Sequence, residues 1–170
     1  MRLAELNRAD RAAFVAALGA VFEHAPWVAA AAFDARPFAS RAALHAAMMA
    51  VVERAPEAEQ VDFLNRHPEL GSRAEIVADL TPDSRQEQMS AGLTQLSPAE
   101  AAWFREHNRA YRARFGFPFI VAARRLTKQG IMDAFERRSA GTRADELAQA
   151  LREIGWITGL RLADLVEDGD

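Results

Sequence analysis

Ser97-Pro98-Ala99-Glu100 begins a stretch that ends in Phe115-Gly116-Phe117-Pro118-Phe119-Ile120-Val121, and how that stretch is read decides the fold. A serine followed by proline and, three positions on, by glutamate is a capping box with proline in the first helical position, so a helix starts here. Ala101, Phe104, Asn108, Tyr111 and Phe115 recur at three- and four-residue spacing and give that helix an inward face through about Arg114. The aromatic run beyond it has strand propensity, yet it is isolated, with no partner run to pair with, and Gly116 and Pro118 would weaken a ladder. We read this run as an extended, buried segment and the chain as all-α.

Downstream, Thr127 can cap a helix over Lys128 to Arg138 with Ile131, Met132 and Phe135 inward. Thr142-Arg143-Ala144-Asp145 has the pattern of a cap for a last helix reaching about Val166, striped by Leu147, Leu151, Ile154, Ile157 or Thr158, Leu162 and Leu165. Arg161 falls on that apolar stripe, and a buried arginine needs an anion, whether an internal carboxylate or a ligand; the alternative is a head that snorkels out at the stripe's edge. Upstream, Asn7 or Asp10 can cap a first helix carrying Phe14, Val15, Leu18, Val21 and Phe22, which should end near Glu23, where His24-Ala25-Pro26-Trp27 breaks it. Ser40 is the expected cap of a helix to about Arg54, and Pro56 opens the next, with Val61, Phe63 and Leu64 inward. Between Gly71 and Asp83, Ile76, Val77 and Leu80 predict a weak helical turn and Thr81-Pro82-Asp83 a break. No repeat or linker interrupts the pattern, so residues 1–170 are expected to form a single compact domain of about seven or eight packed helices.

Half of the residues are hydrophobic and 26% are charged, which suits a globular chain with a real core. The net charge of −3 comes from interspersed charges, so no basic stripe proposes nucleic acid or an anionic membrane as partner. Without cysteine there is no disulfide, thiolate metal site or thiol nucleophile. Met1 to Asn7 lack a secretory apolar region and no run reaches membrane-spanning length, which gives a cytoplasmic expectation. His24, His45, His67 and His107 lack the spacing of a hydrolytic zinc site, the one lysine, Lys128, is expected at an exposed helix start, and no phosphate-cradling glycine loop occurs. No metal or cofactor is expected.

Chemistry concentrates between His67 and Leu93. His67 precedes Pro68, which pushes it out of the α region at a helix end. Ser84-Arg85-Gln86-Glu87 reads as a capping box, predicting a helix start at Arg85. On these residues alone, His67 is either a solvated loop histidine or a titrating group, and Glu87 either a cap or its carboxylate partner.

His67-Pro68-Glu69-Leu70-Gly71, then Ser84-Arg85-Gln86-Glu87-Gln88-Met89-Ser90-Ala91-Gly92-Leu93, then Asn108-Arg109-Ala110-Tyr111 leading into Arg114-Phe115-Gly116-Phe117-Pro118-Phe119-Ile120, resemble in that order the 2-oxo-4-hydroxy-4-carboxy-5-ureidoimidazoline (OHCU) decarboxylase family. Val21-Phe22-Glu23-His24-Ala25-Pro26-Trp27-Val28 resembles the family's N-terminal block, so the likeness covers nearly the whole chain. The resemblance implies cofactor-independent decarboxylation of OHCU to (S)-allantoin by a homodimer, with His67, Glu87 and Arg161 catalytic. It also implies substrate contacts at Pro68, Ser84, Arg85, Gln86 and Gln88 and along Phe119, Ile120, Val121, Ala122 and Ala123. Other classes remain open: a non-catalytic helical adaptor, or a hydrolase or isomerase of a related ureide.

Overall fold

The computed structural model describes residues 1–71 and 80–168, and among them the chain is all-α. Nine α-helices occur there: α1 Leu3–Arg8, α2 Arg11–Leu18, α3 Pro26–Ala32, α4 Arg41–Glu53, α5 Glu57–Asn65, α6 Pro82–Ser90, α7 Pro98–Phe115, α8 Lys128–Ser139 and α9 Arg143–Leu165. They divide into two compact units, Met1–Phe63 with Thr158–Asp170, and Leu64–Ile157. The expected weak turn at Ile76 and Val77 lies outside the described residues.

In the first unit, Asp10 caps α2 by accepting the Ala13 N–H at 2.8 Å, and Ser40 caps α4 by accepting that of Ala43 at 3.1 Å. Two expectations need correction. The first helix stops at Leu18 instead of near Glu23, because Gly19 takes over as its C-cap; Val21 and Phe22 are nevertheless buried, in the turn that follows. Pro26 does not merely break a helix but opens α3 in the first position, where its missing N–H costs nothing. This extra helix and the short α1 account for the count above seven or eight. Phe14 meets Phe33 edge-on at 5.5 Å, while Leu18, Phe22, Leu44, Met48 and Phe63 fill the interior.

In the second unit the Ser97 capping box forms as read: Ser97 Oγ accepts from the Glu100 N–H at 3.1 Å and Glu100 Oε2 accepts from that of Ser97 at 2.8 Å. Gly116 ends α7 in the left-handed region, φ 84°, which frees the aromatic segment to run extended. No strand is assigned there, and Phe117 to Ala123 are all buried. Phe119 stacks on Phe135 of α8 at 3.9 Å and meets Tyr111 of α7 edge-on at 5.4 Å. Thr127 caps α8 through the Gly130 N–H, and Thr142 accepts from the Asp145 N–H at the start of α9.

Candidate active site

His67 sits in the second unit just past the end of α5, its N–H bonded to the Leu64 carbonyl, and it is 7% exposed. The loop it heads is pinned by several hydrogen bonds. Asn108 of α7 donates to the Leu70 carbonyl at 2.8 Å, and Glu69 pairs with Arg112 of the same helix at 2.9 Å. Gly71 adopts φ +65°, and a Cβ there would meet Phe104 Cγ at 2.7 Å, so the loop turns against α7 only with glycine at this point. Gln88 of α6 closes the arrangement. Its Oε1 accepts from the Gly71 N–H at 3.2 Å and its Nε2 donates to the Glu69 carbonyl at 3.3 Å. Both ends of the amide thus tie α6 to the His67 loop.

α6 itself differs from expectation. It begins at Pro82, capped by Thr81, whose Oγ1 accepts from the Ser84 N–H at 3.3 Å. Ser84 is therefore a buried residue of the first turn and no capping box joins it to Glu87; the start at Arg85 is corrected to Pro82. The reason is the proline, which is tolerated in the first helical turn and pre-sets the helical φ. Thr81-Pro82-Asp83 is a helix start, not a break. Glu87 is half-buried, while Arg85 and Gln86 are exposed.

α6 packs against the 3₁₀ turn Ala123–Arg125, so the candidate segment from Phe119 to Ala123 ends beside the helix that carries Ser84, Glu87 and Gln88. Two backbone groups of that segment already have protein partners: the Ile120 carbonyl accepts from Arg138 Nη1 at 2.7 Å, and the Ala122 N–H donates to Glu153 at 2.9 Å. Arg138 is a residue that sequence reasoning missed. Its Nε pairs with Glu146 at 2.9 Å, both side chains are buried, and its guanidinium lies 4.4 Å from the Phe119 ring centroid. Tyr111 donates to the same Glu146 carboxylate; burial, then that hydrogen bond, pushes its phenol far above the usual range. The signal was present, since Arg138 continues the inward series Ile131, Ala134, Phe135 of α8.

In the first unit, Arg161 is 4% exposed, as its place on the stripe predicted. Its anion includes Glu23, 1% exposed, whose Oε2 accepts from Arg161 Nη1 at 2.8 Å. Glu23 was not singled out, although Val21-Phe22-Glu23 sets a carboxylate among apolar neighbours. His45 on α4 shares a 2.8 Å hydrogen bond with Thr158, and burial, partly offset by Glu53, lowers its pKa. Among the described residues no group of three or more His, Asp or Glu side chains is placed to hold a metal.

The fold and the pinned histidine loop define an all-helical protein with a candidate acid/base site and no recognisable metal cluster among its described residues. The OHCU decarboxylase model matches residues 7–163, and the chain belongs to that family. A 2-oxo-4-hydroxy-4-carboxy-5-ureidoimidazoline decarboxylase of Halalkalicoccus jeotgali is 40% identical, covering 98% of this chain and 92% of the relative. One of Haloferax volcanii is 41% identical, covering 96% and 95%. Among solved structures, an (S)-allantoin synthase is similar with a TM-score of 0.76 at 27% identity, covering 98% of this chain and 54% of that one. An OHCU decarboxylase in the presence of (S)-allantoin has a TM-score of 0.65 at 27% identity, covering 82% and 89%.

Proposed function

We propose that this chain, as one decarboxylase domain over residues 1–170, removes carbon dioxide from OHCU in urate breakdown and leaves (S)-allantoin, with His67 as general acid/base. The observation that carries the reading is the buried His67 loop, tied by Gln88 to the helix that bears Glu87, in a member of this family. OHCU bears its carboxylate on a ring carbon that also holds a hydroxyl. When that carbon–carbon bond breaks, carbon dioxide leaves and the electron pair is delocalised into the ring as an enolate. Histidine is the side chain that exchanges protons near neutral pH, so His67 is suited to take the proton that the substrate gives up and return one to ring carbon. Delivery from one face yields one enantiomer. Glu87 orients the imidazole in this scheme.

Arg161 is assigned to substrate oxygens. A tight pair with the departing carboxylate would favour the ground state over the transition state, so its role is orientation, or contact with oxygens that gain charge as the enolate forms. Pro68, Ser84, Arg85, Gln86, Gln88 and the segment from Phe119 to Ala123 are assigned to substrate contact on family resemblance. The Gln88 amide shares that work with its clamp on the loop. No cofactor enters the scheme. A homodimer in the cytoplasm belongs to the same reading; no described helix is long and apolar enough to cross a membrane. The test is to generate OHCU enzymatically from urate and follow its optical signal. A first-order decay faster with the protein than without it, ending in the (S) enantiomer, supports the reading; an unchanged decay overturns it. Light scattering in solution checks the dimer.

A further inference from the structure

The pair Glu23–Arg161 is built more carefully than a stability role asks for. Glu23 lies in the turn between α2 and α3, where the Ala25 N–H bonds to the Phe22 carbonyl at 3.0 Å and His24 takes φ +49°. The turn sends the carboxylate inward. Oε2 accepts from Arg161 Nη1 at 2.8 Å, the Val21 carbonyl stands 3.4 Å from the same nitrogen, and the exposed His24 places Nε2 3.7 Å from Oε1. Side-chain exposure is 3% for Arg161 and 1% for Glu23. Drying two charges is costly, and replacing such a pair by apolar groups is often neutral or stabilising, so stability alone is a weak reason for it.

We propose that Glu23 is a positioning residue that fixes the Arg161 guanidinium and compensates its charge, so that an anionic substrate is oriented by directional N–H groups without being clamped. This rests on the reading above that the chain decarboxylates OHCU and that Arg161 contacts the substrate. In the ground state the negative charge sits on the carboxylate; that group departs as neutral carbon dioxide while the charge moves into the ring. A lone buried guanidinium would hold the starting carboxylate more strongly than the transition state and slow the step. A guanidinium already neutralised by a buried carboxylate keeps its geometry and loses most of that bias.

Glu23→Gln decides the matter, because it keeps the side-chain oxygen for Arg161 while removing the charge. With the Glu23 charge gone, Arg161 should bind the anion more tightly and release it to chemistry more slowly, so KM and kcat for OHCU both fall by about tenfold. (S)-allantoin has lost the carboxylate, and its inhibition constant should stay within about threefold of wild type, since only charged ligands feel the change. Glu23→Asp keeps the charge and should retain a KM within about threefold of wild type. A purely structural residue would not give this split. The proposal is overturned if Glu23→Gln lowers kcat with KM unchanged or raised, or if allantoin affinity moves in parallel with KM. Should Glu23→Gln fail to fold, Glu23→Asp decides alone: a KM raised by about tenfold or more overturns the proposal, and a KM within the stated range supports it. Failure of the underlying reading looks different: wild-type protein that does not accelerate OHCU decay, or Arg161→Lys that matches wild type.

Discussion

Two helices of the second unit begin with nearly the same letters, and only one begins where a Ser-x-x-Glu pattern says. At α7, Ser97-Pro98-Ala99-Glu100 forms the reciprocal capping box. At α6, Ser84-Arg85-Gln86-Glu87 forms none, because Thr81-Pro82 lies upstream and claims the helix start. The feature the two starts share is hydroxyl residue then proline, not Ser-x-x-Glu. Proline in the first helical position is the stronger punctuation, since it supplies the helical φ and lacks an N–H that would otherwise be orphaned. The difference bears on the role proposed for Glu87. Glu100 spends its carboxylate on the Ser97 N–H and on Lys128, whereas Glu87 is released from capping in the helix that Gln88 ties to the His67 loop.

The largest effects should follow from that release. His67→Asn should lower decarboxylation by about 10²–10⁴-fold, the range for a positioned acid/base, with an unchanged helical circular dichroism signal. Activity within about tenfold of wild type would remove His67 from the mechanism. Glu87→Gln should lose more than about 10²-fold in kcat with thermal stability near wild type, while Glu100→Gln stays fully active. If instead Glu87→Gln is active and merely less stable, Glu87 and Glu100 both serve only to stabilise their helices.

Smaller effects concern how α6 is held. Gln88→Ala removes two neutral hydrogen bonds to the 69–71 backbone and should cost about 1–3 kcal/mol in denaturant unfolding, because a buried N–H and carbonyl lose their partner. A loss confined to activity would mean that the clamp contributes nothing to the fold. Thr81→Ala and Ser97→Ala should each cost about 1 kcal/mol, the usual worth of an N-cap, with Thr81→Ser restoring most of it. Unchanged stability in Thr81→Ala would return the cap to Ser84.

Local signals made most of the fold legible. The Ser97 box, the caps at Asp10, Ser40 and Thr127, and the isolation of the aromatic run are decided within a few residues of chain, and each appears as read. Where reading failed, a competing local signal won: Gly19 ended α2 before the apolar period did, and Pro26 and Pro82 opened helices where breaks were expected. Site partners were less legible for a different reason. Arg161 declared itself buried through its register, but which carboxylate would face it depends on tertiary proximity across 138 residues of chain. Arg138 and Glu146 are closer in sequence, yet they lie on separate helices whose packing no periodicity specifies.

The smallest expected effect sharpens the same comparison through pH. The Glu100 carboxyl is held below its ordinary value of 4.5, first by the hydrogen bond from Lys128 and then by the Ser97 N–H. A depressed carboxylate stabilises the fold fully above its ordinary pKa and loses that contribution as pH falls through the folded value, where the proton displaces the ion pair. Glu100→Gln keeps an oxygen for the Ser97 N–H, since glutamine also serves in capping boxes, but it has no charge for Lys128. Melting curves of wild type and Glu100→Gln should therefore differ at neutral pH and converge as pH falls through the depressed folded value of the Glu100 carboxyl, with wild type the more acid-sensitive of the two. A gap that persists unchanged into acid would show that Lys128 adds nothing and that Glu100 acts by capping alone. In that case the α7 start would be a plain cap, and its difference from α6 would lie only in which residue supplies the hydroxyl.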